Sequence, residues 1–69
     1  MRQITVTVDG TPYRVWNDAE VHTLVDLLPP GAQLALKTGQ ARLTDRHGHE
    51  VGSGGGLSDG TELRIEYLA

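Results

Sequence analysis

Residues 4 to 15 read I-T-V-T-V-D-G-T-P-Y-R-V, and no other stretch of the chain restricts its fold so tightly. Ile4, Val6 and Val8 alternate with Thr5, Thr7 and Asp9, a period of two in β-branched residues that marks a half-buried strand. Asp9-Gly10 supplies the two φ > 0 positions of a type I′ turn, whose twist matches the strands it joins. With those two residues as the loop, Val8 faces Thr11, Val6 faces Tyr13 and Ile4 faces Val15, so the apolar residues of both strands share one face. Pro12 then sits opposite Thr7 with its missing N–H turned away from the first strand, which is tolerated only if the second strand is an edge.

The next stretch is N-D-A-E-V-H-T-L-V-D-L-L-P-P-G. Val21, Leu24, Val25 and Leu28 recur at i, i+3, i+4 and i+7, which predicts one amphipathic helix of about three turns. Asn17 or Asp18 is placed to cap it, with Glu20 completing a capping box if Asn17 is the cap. Pro29-Pro30-Gly31 is expected to end it. Leu34 and Leu36 alternate with polar or small neighbours and predict a short strand, followed by a Gly39-Gln40 turn and a second short strand over Ala41-Arg42-Leu43-Thr44. Residues 45 to 56, D-R-H-G-H-E-V-G-S-G-G-G, read as irregular. Leu57-Ser58-Asp59-Gly60 reads as a turn into a last strand in which Leu63, Ile65 and Tyr67 alternate with Glu62, Arg64 and Glu66.

One apolar sheet face has to be covered, and the helix is the only element able to cover it. A right-handed crossover through that helix places the first and last strands side by side and parallel at the sheet centre, with the second strand as an edge. Pro12 demands that edge independently. The expected class is therefore α+β, a mixed four- to five-stranded sheet packed on one helix as a single domain over residues 1–69, with Leu63, Ile65 and Tyr67 beneath the helix.

Composition removes several kinds of function. A chain of 69 residues builds a core that leaves about 3–5 kcal/mol of net stability. It contains no cysteine, hence no disulfide, thiolate metal site or cysteine nucleophile. The net charge is −3, with Lys37 as the single lysine, which argues against a binder of nucleic-acid backbones. Tyr13, Trp16 and Tyr67 are the only aromatics apart from the histidines, too few for a base-stacking platform. The alternating start is unlike a signal peptide, and no segment nears the roughly 20 apolar residues that span a bilayer. The expectation is a cytoplasmic protein that touches neither nucleic acid nor membrane.

The hairpin I-T-V-T-V-D-G-T-P-Y-R-V, the helix ending L-V-D-L-L-P-P-G and the terminal L-S-D-G-T-E-L-R-I together resemble the ubiquitin-like β-grasp superfamily over essentially the whole chain. Among its bacterial members the chain is most similar to multiubiquitin-type domains, in which a V-D-G hairpin, an L-P-P-G segment and an L-x-D-G before the last strand recur. The resemblance implies a non-enzymatic protein that works by being recognised, the modifier component of a ubiquitination-like pathway with an adenylating enzyme as partner. It leaves two other roles open: a noncovalent accessory subunit or regulator like the secretion-linked relatives, and a relative of the sulfur carriers. Modifiers and carriers of this superfamily are adenylated at a C-terminal Gly-Gly, whereas Tyr67, Leu68 and Ala69 form the tail here.

Other candidate sites carry weaker signals. Gly54-Gly55-Gly56 lacks the Lys-Ser/Thr of a phosphate loop and precedes a strand, so a plain mobile connection is expected. Cleavage there would remove the last strand, so these glycines are not a latent reactive tail. His47 and His49, two apart in extended chain, project to one side and are a candidate metal pair, against a solvated turn relaxed by Gly48. No cofactor and no catalytic residue is expected, since neither Ser53 nor Ser58 lies in a nucleophile elbow. The candidate interaction surface is the outer sheet face, where Thr5, Thr7, Arg14, Trp16 and Arg64 point away from the helix and pair a Trp with an Arg, residues enriched in binding hot spots. Trp16 alternatively folds over the helix start as a margin of the core.

Overall fold

The computed structural model describes Arg2 to Leu68. Asp9 and Gly10 both adopt positive φ, 52° and 82°, and the turn they form joins β1 (Gln3–Val8) to β2 (Thr11–Trp16). The register is Val8↔Thr11, Val6↔Tyr13 and Ile4↔Val15, with Pro12 across from Thr7. The chain continues through α1 (Val21–Val25), α2 (Pro30–Lys37), β3 (Ala41–Asp45) and β4 (Glu62–Tyr67). The sheet order is β2-β1-β4-β3, and the central strands β1 and β4 run parallel. β2 is an edge, the position that Pro12 requires.

The parallel seam is short, Thr7↔Glu62 and Val8↔Leu63, and carboxylates prolong it at both ends. Between them the Thr7 N–H donates to Thr61 O and the Asp9 N–H to Leu63 O, each at 3.0 Å, while the Gly60 N–H donates to Thr5 O at 2.9 Å. Beyond these, the Thr5 N–H donates to Asp59 Oδ1 at 2.9 Å, and the Ile65 N–H donates to Asp9 Oδ1 at 3.2 Å. Each Asp-Gly pair of the sequence thus turns the chain and extends the central ladder, with a charged acceptor where a neutral carbonyl would bind more weakly.

The helices cover one face of this sheet. Ile4, Val6, Val8 and Val15 from the hairpin, with Leu43 and Leu63, are buried against Val21, Leu24 and Leu28, and Leu57 closes the same cluster. Ile65 and Val25 pack partly buried against it. Tyr67 does not: it ends β4 beside Ala41 and is 65% exposed, so the expected burial of that ring is corrected.

Three further expectations are overturned. The helical spacing from Val21 to Leu28 does bury Val21, Leu24 and Leu28, but α1 stops at Val25 and the following residues form a turn. Pro29-Pro30-Gly31 does not merely end a helix; it opens one. Pro30 occupies the first turn of α2, where a missing N–H costs nothing. The Gln33 side chain then reaches back, its Nε2 donating to Leu28 O at 2.7 Å and Asp26 O at 3.1 Å, which satisfies carbonyls that the short α1 leaves open. The strand expected at Leu34 and Leu36 is therefore α2, and the sheet has four strands over two short helices. Ala32 and Ala35, three apart, are the buried residues of α2, and Leu34 is exposed. Gly39 at φ 80° ends α2 as a Schellman motif, with the Gln40 N–H donating to Ala35 O at 2.9 Å.

The glycine run is docked rather than a plain mobile connection. Neither Asn17 nor Asp18 caps α1; the cap position is Glu20, whose side chain makes no capping hydrogen bond to the helix backbone. The orphan donors of the first turn go instead to backbone carbonyls of the loop: the Val21 N–H to Gly55 O at 2.9 Å and the His22 N–H to Ser53 O at 3.0 Å. Glu20 and Gly56 form an isolated antiparallel bridge beside them.

Candidate recognition surface

Side-chain parity along β1 and β2 places Thr5, Thr7, Arg14 and Trp16 on the face opposite the core. Thr5 lies across from Arg14 and Gln3 across from Trp16. Trp16 is 51% exposed and stands outside the core cluster, which settles it as a surface residue and not a core margin. Arg14 is exposed, and Thr5 and Thr7 are half-buried. Arg64 shares this face but not this neighbourhood. The parallel register sets Glu62 beside Thr7, so Arg64 falls in the row of Asp9, six residues from the row of Gln3 and Trp16. At roughly 3.3 Å per residue that is about 20 Å along the strands. Across from Arg64, Thr44 is buried and its Oγ1 lies 3.5 Å from Arg64 O. Arg64 is exposed but stands apart, so the exposed candidates that lie together are Arg14 and Trp16 on the β2 margin, with exposed Pro12 beside them.

The two sheet edges differ. Beside β3, residues 49–51 act as a partial fifth strand: the Asp45 N–H donates to His49 O and the Val51 N–H to Leu43 O, both at 2.9 Å. Nothing among the described residues covers β2 in the same way.

A groove of about 550 Å³ lies between α1 and β3, with Val21, Val25, Leu36, Ala41, Leu43 and Val51 in its lining. Apart from Leu68 of the C-terminal tail, none of its lining residues is expected from the sequence as a binding site, because its walls come from four separated segments. Its rim charges are paired: Lys37 with Asp26 at 3.8 Å, Arg42 with Glu50 at 3.9 Å, and His22 Nε2 with Glu20 at 3.0 Å. Ser53 also lines it, but among the described residues no hydrogen bond joins its hydroxyl to the His22 ring. Leu68 reaches this groove, held by its N–H donating to Gln40 O at 2.8 Å, and Ala69 lies outside the described residues.

His47 and His49 sit in a tight turn organised by Asp45. Asp45 Oδ1 accepts the N–H of His47 at 2.8 Å and of His49 at 3.0 Å, and Gly48 takes φ 83°. The two imidazole centroids are 6.4 Å apart. Among the described residues no three His, Cys, Asp or Glu side chains gather as a metal site would require.

The hydrogen bond from the His49 N–H is the main reason that the Asp45 carboxyl titrates below its ordinary range; partial burial opposes it, and the His47 N–H and the charges on both rings add to it. Because the folded value is the lower one, the stabilisation is complete at neutral pH and is lost as pH falls below about 4 and through the folded value. Asp45→Asn is expected to flatten the acid limb of the stability curve, checked by urea unfolding of both forms at several values between about pH 5 and pH 3.

Comparison of the chain with protein-family models and with curated proteins finds no match. Among the described residues no helix is long and apolar enough to cross a membrane.

Proposed function

We propose that this chain is a ubiquitin-like β-grasp protein that acts without catalysis, by being recognised by other proteins. The observation that carries this reading is the sheet order β2-β1-β4-β3 with a parallel central pair and the helices on one face, the arrangement expected of a β-grasp. The surface supports it further: Trp16 and Arg14 lie exposed on the sheet margin, and although Ser53, His22 and Asp26 all line the α1–β3 groove, among the described residues no side-chain hydrogen bond links Ser53 to His22 there.

Within this reading the role is either a modifier component of a bacterial ubiquitination-like pathway, served by an adenylating enzyme, or a noncovalent accessory subunit. The docked glycines favour the second. The chemistry of a free Gly-Gly tail is not offered by a segment whose carbonyls cap α1 and which precedes the central strand β4. Intact mass of the protein recovered from its native cell, together with whatever co-purifies, tests the proposal. A covalent adduct or trimmed end with an adenylating partner is the modifier outcome, and an unaltered chain with a retained protein is the subunit outcome. An unaltered chain that retains no protein would overturn recognition as its function.

A further inference from the structure

We propose that the groove between α1 and β3 binds a small neutral molecule, an aliphatic N-acyl amino-acid amide, whose N–H and C=O take up two backbone groups that the sheet leaves open. This site is independent of the recognition reading. β3 gives its even-numbered residues to β4: Gln40 O accepts the Leu68 N–H at 2.8 Å, Arg42 stands across from Glu66 and Thr44 across from Arg64. The backbone groups of Ala41, Leu43 and Asp45 therefore face the other way. There residues 49–51 run antiparallel to β3, with Thr44 bridged to Glu50 and the Val51 N–H on Leu43 O. The next rung would join the Leu43 N–H to Val51 O and the Ser53 N–H to Ala41 O. Neither bond forms; the segment swings away instead and sets Ser53 O on the His22 N–H of α1. Ala41 and Leu43 are each only 4% exposed. Among the described residues, neither the Ala41 C=O nor the Leu43 N–H has a partner within the chain. Buried backbone groups are paired in the great majority of cases, so a pair left open at the floor of a groove points to a ligand.

The geometry of the gap selects the occupant. In a parallel pairing, one residue donates its N–H to the residue before its opposite number and accepts from the residue after it. A single amino-acid unit beside Arg42 thus answers both the Ala41 C=O and the Leu43 N–H. A longer strand does not fit. The next group in the series, Leu43 O, already holds the Val51 N–H, and residues 49–51 occupy the edge beyond. At its other end the unit carries an acyl group, which falls in the row of Ala41 and turns to the core face, into the groove among Val21, Val25, Leu36 and Leu43. Those walls are aliphatic, and their volume of about 550 Å³ is that of a small-molecule site. The rim charges cancel, Lys37 beside Asp26 and Arg42 beside Glu50, which favours a neutral ligand over an ion.

The test titrates the whole ¹⁵N-labelled chain with N-hexanoylglycine N-methylamide. This probe is expected to shift the amides of Ala41, Leu43, Val51 and Val25 and to slow solvent exchange at the Leu43 amide. N-acetylglycine N-methylamide, which lacks the chain, is expected to bind more than about tenfold more weakly. N-hexanoylsarcosine N-methylamide, which lacks the N–H for Ala41 O, is expected to bind about three- to tenfold more weakly. Leu36→Trp, which fills the groove, is expected to abolish the shifts while keeping amide dispersion; if that variant does not fold, the three compounds on the original chain decide alone. No shift at millimolar probe, or shifts centred away from the groove, would overturn the proposal. Equal binding of the glycine and sarcosine compounds would do the same, since the backbone groups would then play no part. Tighter binding of a hexanoylglycyl heptapeptide than of the small probe would overturn it too, by making a protein terminus the occupant.

Discussion

Leu24→Ala is expected to leave most of the protein unfolded at 25 °C. Leu24 is the largest side chain with no exposed surface, held at 0% between α1 and the sheet. Truncating a leucine so placed costs about 2–5 kcal/mol, the lost transfer energy plus that of the cavity left behind. A chain of this size has about 3–5 kcal/mol to lose. The helix cannot easily collapse into the gap, because α1 is tied at its start to the Gly55 and Ser53 carbonyls and followed by a turn whose carbonyls Gln33 holds. The readout is loss of amide dispersion and of the cooperative urea transition. Tyr67→Ala serves as the control from the same fold: at 65% exposure it should change stability by no more than about 0.5 kcal/mol. If Leu24→Ala unfolds with an undiminished midpoint, α1 is not packed on this sheet.

What the sequence discloses follows how local the physics is. The hairpin is legible because a period of two, a turn that needs φ > 0 twice and a proline that needs an edge all lie within a dozen residues and agree. The place of β2 at the margin and of β4 beside β1 follows from them with one crossover rule. Pro29-Pro30-Gly31 is ambiguous by nature, since proline both stops a helix and suits the first turn of the next. The decision rests on Ala32 and Ala35, whose small side chains mark a buried helical face far more faintly than Leu34 and Leu36 mimic a strand. The cap of α1 leaves no residue signature at all, because its acceptors are backbone carbonyls from a segment more than thirty residues away. The same distance hides Arg64. Its face follows from alternation, but its separation from Trp16 follows from a parallel register between strands remote in sequence, which no local pattern encodes.

The glycine run is where a single methyl group separates a tether from a structural part. An added Cβ at Gly55 would lie 3.2 Å from Gly52 O and 3.6 Å from Val21 Cγ2, whereas Gly54 and Gly56 have nothing within 4 Å. Gly52 O is a backbone atom and already accepts the Gly55 N–H at 3.0 Å, so it cannot swing aside without loosening the turn that aims Gly55 O at α1. Gly55→Val, which adds branches to that Cβ, is therefore expected to cost about 1–3 kcal/mol, the usual penalty of overpacking. Gly54→Ala and Gly56→Ala should be neutral, or stabilising by about 0.4–1 kcal/mol, through loss of freedom in the unfolded chain where their backbone angles suit alanine. Hydrogen exchange supplies the local reading: the Val21 and His22 amides, which the loop carbonyls protect, should exchange faster in Gly55→Val relative to core amides such as that of Val6. Were all three substitutions equally silent at those two amides, the loop would be only a tether and α1 would start without its cap.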